Sequence, residues 1–196
     1  TVSAKDSGGT ASGGVDTSTA QSFTITVTAI NDAPSFIKGS DQTVLEDSGP
    51  QSVAAWATGI SSGPANESAQ TVSFLVTNNN TALFTTQPAI APNGTLTYTP
   101  AANANGSAIV TVSAKDSGGT ASGGVDTSAA QTFTITVTAV NDAPAFTKGP
   151  NQTVSEDSGP QTVAAWATGI SPGPANESTQ TVSFLVSNSN TTLFSA

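Results

Sequence analysis

The chain contains no cysteine, no histidine, no methionine and no arginine, and only four lysines. Without Cys and His, the usual zinc, copper, haem and thiol chemistries are excluded. A Ser–His or Cys–His nucleophile–base pair cannot be assembled either. No disulfide can staple the fold, although small secreted domains often depend on one. That leaves a cytosolic protein, or a bacterial surface protein held together by other means. The net charge is −9, so there is no basic footprint for nucleic acid or for an anionic membrane surface. Hard cations such as calcium are the natural counter-ions for carboxylates that lack basic partners. No apolar run is long enough for a transmembrane helix, so no membrane insertion is expected in this segment. No signal peptide is visible, and any targeting signal or anchor is expected outside it.

What is present is thin and β-prone. Hydrophobic residues make up 36% of the chain, mostly Val, Ile, Phe and Ala, among abundant Thr and Ser. Charged residues are only 9%, which separates the chain from charge-rich disordered tails. A β-branched composition of this kind suits strands with one buried face. The dominant feature is internal repetition. TVSAKDSGGTASGGVDTS begins at Thr1 and again at Thr111, a period of 110 residues. Residues 1–86 align without gaps on 111–196, with 70 of 86 pairs identical. The segment NDAP recurs at Asn31–Pro34 and Asn141–Pro144, and its proline stiffens the chain and disfavours helix before it. The expected division is therefore 1–31 as the last strands of one repeat, 32–141 as a complete repeat, and 142–196 as the first half of the next. A half-repeat cannot bury a core alone, so its missing strands are expected from further sequence or from a neighbouring chain.

Within the complete repeat seven strand-like runs alternate with turn signals: Gln42–Glu46, Gln51–Ala57 carrying Trp56, Thr71–Thr77, Leu83–Thr86, Thr95–Thr99, Ala108–Lys115 and Thr132–Ala139. In the third, Val72, Phe74 and Val76 alternate with Ser73, Leu75 and Thr77. In the last, Phe133, Ile135 and Val137 alternate with threonines. No amphipathic helix is present. Seven short strands in about 100 residues predict an all-β, immunoglobulin-like Greek-key sandwich, with repeats head to tail. Trp56, Phe74, Phe84 and Phe133 are expected in its core.

The stretch TVSAKDSGG…FTITVTAVNDAPAF resembles the end of a cadherin repeat. Ala114, Asp116 and Gly118 match the turn that precedes the last cadherin strand. Asn141, Asp142, Pro144 and Phe146 match the linker, and LEDSG at Leu45–Gly49 lies where cadherins place an acidic residue. The chain is more similar still to bacterial cadherin-like and VCBS-type tandem repeats of large adhesins, whose junctions carry the TVTAVNDAP pattern. That resemblance implies an extracellular or cell-surface protein of structural or adhesive role. The linker departs from cadherin at Ala29, Ala33, Ala139 and Ala143. Ala57–Ile60 and the Asn103/Asn105 pair stand where cadherins carry further acidic ligands. What remains is enough for one calcium per junction rather than three.

Alternating strands send successive turns to opposite ends of a sandwich. Head-to-tail stacking would then bring Asn31 and Asp32 to Asp116 and Glu67 at the first junction. At the second, Asn141 and Asp142 would meet Glu46 and Asp47, with Glu177 reaching in from the following repeat. Calcium takes six to eight oxygen ligands at about 2.3–2.6 Å, and these side chains with nearby carbonyls are the candidates. Asp16 and Asp126, in Gly-rich loops, read as solvated. Glu46 and Asp47 are adjacent carboxylates, but they sit in a turn without a pocket signature, so no catalysis is expected. The expected role is a spacer rod whose partners are neighbouring repeats. Two alternatives are a self-assembling fibre of identical chains and, more weakly, a carbohydrate-binding accessory module of a secreted enzyme.

Overall fold

The computed structural model describes residues 1–194. The protein is all-β, with a few single-turn 3₁₀ segments. Nine strands lie between residues 35 and 138: β1 Ser35–Ile37, β2 Gln42–Leu45, β3 Gln51–Val53, β4 Thr58–Ser61, β5 Val72–Asn78, β6 Phe84–Ile90, β7 Leu96–Pro100, β8 Gly106–Asp116 and β9 Gln131–Thr138. A four-stranded sheet has the order β2-β9-β8-β5 and a three-stranded sheet the order β3-β7-β6. β2 runs parallel to β9, with Gln42 opposite Ile135 and Leu45 opposite Thr138. β8 is antiparallel to both β9 and β5. A separate pair joins β1 to β4.

Both sheets contribute to one core. It gathers Leu83, Phe84, Ile90, Leu96 and Tyr98 from the β6–β7 side with Val110, Val112, Phe133, Ile135 and Val137 from β8 and β9. Full burial of such side chains stabilises by about 1.5–3 kcal/mol each. The period-2 pattern accounts for the choice of face: in β9 the apolar residues at 133, 135 and 137 are buried and the threonines between them are not. Trp56 packs on Phe133 with ring centroids 4.3 Å apart, and its indole N–H donates to Ser40 O at 2.9 Å. Gly39 makes room for it, since a Cβ there would lie 2.6 Å from Trp56 Cδ1.

Three sequence expectations are corrected. The run Gln51–Ala57 is not one strand: β3 stops at Val53, and a turn with Ala55 at φ 52° redirects the chain into β4. Between Ala57 and Thr71, where the sequence offers no strand-like run, the chain forms β4 and a 3₁₀ turn at Ala65–Glu67. The run at Leu83–Thr86 extends to Ile90 through Pro88, as β6, an edge strand with register shifts; an edge tolerates a missing N–H. The two larger sheets together hold seven strands, and β1 and β4 are additional.

Outside this unit the same sequence is organised locally. Residues 1–30 form a single 3₁₀ turn at Ala11–Gly13 and two isolated bridges, Val2 to Gln21 and Lys5 to Thr17. After residue 141, β10 (Ala145–Thr147) pairs with β11 (Thr168–Ser171), and Phe146 meets Phe184 edge-on at 5.1 Å.

Candidate cation-binding junctions

Both NDAP segments run alongside buried carboxylates. At the first, Asn31 Nδ2 donates to Asp116 Oδ1 at 3.0 Å and to Val125 O at 2.8 Å. Gln70 Nε2 donates to Asn31 Oδ1 at 2.8 Å. The Asp32 backbone N–H donates to Glu67 Oε1 at 3.0 Å. Asp116 sits at the last position of β8, where its Oδ1 also takes the Gly118 N–H at 2.8 Å. Glu67 closes the 3₁₀ turn begun at Ala65, fixed by Glu67 N–H to Pro64 O and by Ser62 Oγ–H to Glu67 O. That turn aims the carboxylate at the linker, and a Cβ on Gly63 would run into Glu67 Oε2.

At the second junction the groups come from both sides. Glu46, just past β2 and buried, accepts the Val140 N–H at 2.8 Å through Oε1. Asn176 Nδ2, from the following repeat, donates to both Glu46 oxygens at 3.2 and 3.3 Å. The Asp142 N–H donates to Glu177 Oε1 at 2.8 Å, as Asp32 does to Glu67. Asp47 stands at φ 60° in the turn after β2, and its Oδ1 takes the Asn103 N–H at 3.1 Å. Burial raises the Asp142 pKa above the usual carboxylate value, and the charges of Glu177, Asp47 and Glu46 add to the shift.

The fold thus brings Asn31 to Asp116 and the Asp32 backbone to Glu67, and at the second junction it sets the Asp142 backbone on Glu177, with Asp47 and Glu46 near enough for their charges to act on Asp142. Asn141 does not join them: its side chain is exposed and turns back onto Asp142 O at 3.0 Å. Asp32 contributes its backbone N–H, with its side chain exposed. Gln70 and Asn176 were not foreseen. Asn176 belongs to the Asn-Glu-Ser triplet, whose Glu was the visible signal. The aspartates read as solvated are instead ion-paired, Lys5 to Asp16 at 3.3 Å and Lys115 to Asp126 at 3.2 Å. The Asp126 pKa is lowered, first by the Thr127 hydroxyl and then by Lys115.

Several buried oxygens have no hydrogen-bond partner: Glu67 Oε2 and Asp116 Oδ2 at the first junction, Asp142 Oδ2 and Glu177 Oε2 at the second. Buried carboxylate oxygens are costly unless paired or metal-bound. Among the described residues no three acidic side chains already converge as a metal cluster. The two junctions display different sets of groups, however. The first has the downstream repeat's Glu67 and Asp116; the second has the upstream repeat's Glu46 and Asp47 together with the downstream Glu177, the counterpart of Glu67. No helix among the described residues is long and apolar enough to cross a membrane. No family model matches the chain. No curated protein matches it either.

Proposed function

We propose that this chain is a stretch of a rod built from immunoglobulin-like, Greek-key units of the cadherin-like kind, one of them spanning residues 32–141. The rod serves as an extracellular spacer in a surface or matrix protein, its junctions stiffened by calcium, and has no catalytic role. The fold reading is supported by the two sheets around one core and by the parallel β2–β9 pair. The observation that carries the cation reading is the set of partnerless buried carboxylate oxygens at both NDAP junctions. Because the repeats are nearly identical, a junction between two complete units would collect Glu46, Asp47, Asp142, Glu177 and the counterpart of Asp116. Five carboxylates beside backbone carbonyls suit a hard divalent ion. Such an ion would neutralise the clustered charge and hold adjoining units at a fixed angle.

The test is thermal unfolding with calcium and with a chelator. At calcium 100-fold above its dissociation constant, one site is expected to stabilise by about 2.7 kcal/mol. A midpoint indifferent to the chelator removes calcium from the reading, and a compact particle by small-angle scattering of a multi-repeat chain removes the rod. A fibre of identical chains is the second reading, favoured by near-identical repeats that offer the same lateral surface many times. A carbohydrate platform is disfavoured, because the aromatic side chains of the central unit, Phe36, Trp56, Phe74, Phe84, Tyr98 and Phe133, lie in or against its core.

A further inference from the structure

We propose that Asn176 is the residue by which one repeat docks on the repeat before it, through a hydrogen-bonded latch to Glu46 that needs no cation. This rests on the reading of the NDAP segments as joints between successive repeats, and it adds a second device to the joint. Glu46 and Asn176 are 130 positions apart in the chain. Each has a period mate, Glu156 and Asn66, so the same pair is available wherever one repeat follows another.

The two sides of the latch are built separately and then meet. On the upstream side, the Glu46 N–H donates to Thr138 O at 2.9 Å, which ties the end of β2 to the end of β9. The Glu46 carboxylate is buried there, and its Oε1 accepts the Val140 N–H at 2.8 Å. On the downstream side, Asn176 is the middle residue of the 3₁₀ turn Ala175–Glu177. The turn is held by Glu177 N–H to Pro174 O at 3.0 Å and by Gln180 N–H to Glu177 O at 2.9 Å. It aims two neighbouring side chains at the joint. Glu177 takes the Asp142 N–H of the linker at 2.8 Å, and Asn176 Nδ2 reaches across to both Glu46 oxygens at 3.2 and 3.3 Å.

A carboxylate offers about four lone-pair positions, and at Glu46 three contacts from N–H donors are already made. A buried carboxylate is tolerated only when it is so supplied, and hydrogen bonds to an ionised acceptor are about twice as strong as neutral ones. Glu46 is thus satisfied before any ion arrives. Among the described residues, the partnerless oxygens at this joint are Asp142 Oδ2 and Glu177 Oε2. The joint therefore has a latch that is complete by itself and a cradle that is not. The latch sets the angle at which repeats dock, and a cation in the cradle tightens a joint that is already docked. An amide suits the latch because it donates N–H groups without adding charge beside the cradle.

The cysteine-free chain allows a direct test. Spin labels on Thr77→Cys and Thr168→Cys, both at exposed strand positions, report the distance across the joint in the full chain. In chelator a single narrow distance is expected. Asn176→Asp sets carboxylate against carboxylate and is expected to move the docked-to-undocked ratio about tenfold toward undocked, read as loss of the narrow distance. Adding Glu46→Gln reverses the polarity of the pair, the introduced amide donating to the introduced carboxylate, and is expected to restore it. A parent chain with a broad distance in chelator overturns the latch, as does a narrow distance that survives Asn176→Asp or a double variant that stays broad. Hydrogen exchange of the Val110, Val112 and Ile135 amides, protected in every variant, shows that the joint and not the central core has moved. Calcium separates the two readings. If it changes no distance distribution, the cation reading fails and the latch stands on the chelator results; a parent chain ordered only by calcium sinks the latch and leaves the cation reading in place.

Discussion

Residues 131–138 and 21–28 read QTFTITVT and QSFTITVT, differing at one position. The first is an eight-residue strand, β9. In the second only Gln21 makes a bridge. Phe133 is 3% exposed and Ile135 0%, against 64% for Phe23 and 77% for Ile25. Trp56 is 4% exposed and Trp166 38%. The local sequence is equal, so local propensity cannot explain the difference. β9 has β2 on one side, β8 on the other and a second sheet against its apolar face. A strand is a relation between segments, and its alternating pattern only marks which face will be buried once partners arrive.

The paired copies allow that contrast to be broken directly. Ile135→Ala should cost about 2–5 kcal/mol in denaturant unfolding, the range for truncating a buried aliphatic side chain. Ile25→Ala, the same change at an exposed position, should stay within about 0.5 kcal/mol. Equal effects would mean that residues 1–30 are buried in solution. Next, Glu46→Ala would strip the acceptor from the Val140 N–H and Asn176 Nδ2, with an expected loss of about 1–3 kcal/mol for stranded buried donors. Its counterpart Glu156→Ala, at an exposed site, should be neutral by the same measurement. Tyr98 sharpens the picture of the core: its hydroxyl is buried without a partner, and burial raises its pKa. Tyr98→Phe is expected to raise stability by about 1 kcal/mol, because the stranded hydroxyl is removed and the ring is kept.

The smallest expected effect is a difference in pH response between two aspartates. The folded-state pKa of Asp142 is raised. Its contribution is therefore fully present below the unfolded carboxylate pKa and is lost as pH rises through the folded value. Asp126 has the opposite sign: its pKa is lowered, so its contribution is present above the unfolded pKa and is lost as pH falls through the folded value. Acidification should thus favour the second junction while weakening the Lys115–Asp126 loop. Carboxyl titrations followed by NMR should move in these opposite directions, and Asp142→Asn should abolish the junction's share. Matching directions would contradict the environments described for both groups.

The alternation in β5 and β9 and the four expected core aromatics were legible because period-2 burial is written in the residues themselves. β1 and β4 were not: three or four residues such as Ser-Phe-Ile and Thr-Gly-Ile-Ser carry too short a pattern, and their pairing is long-range. At the junctions the acidic positions stood out because the chain has so few charges. Gln70 and Asn176 did not, since neutral amides occur throughout the chain and only proximity gives these two a role. Asn141 shows the reverse, a motif match whose side chain turns away from the acidic group.

Composition and repetition by themselves determined which residue types are missing, the 110-residue period, and the apolar face of strands such as β5 and β9, because these depend on residue identity and spacing alone. Tertiary structure decided which copy of an identical segment becomes a strand and which carboxylates meet at each linker. Both outcomes depend on partners distant in sequence, and the free energy of burial and hydrogen bonding is gained only when those partners are brought together.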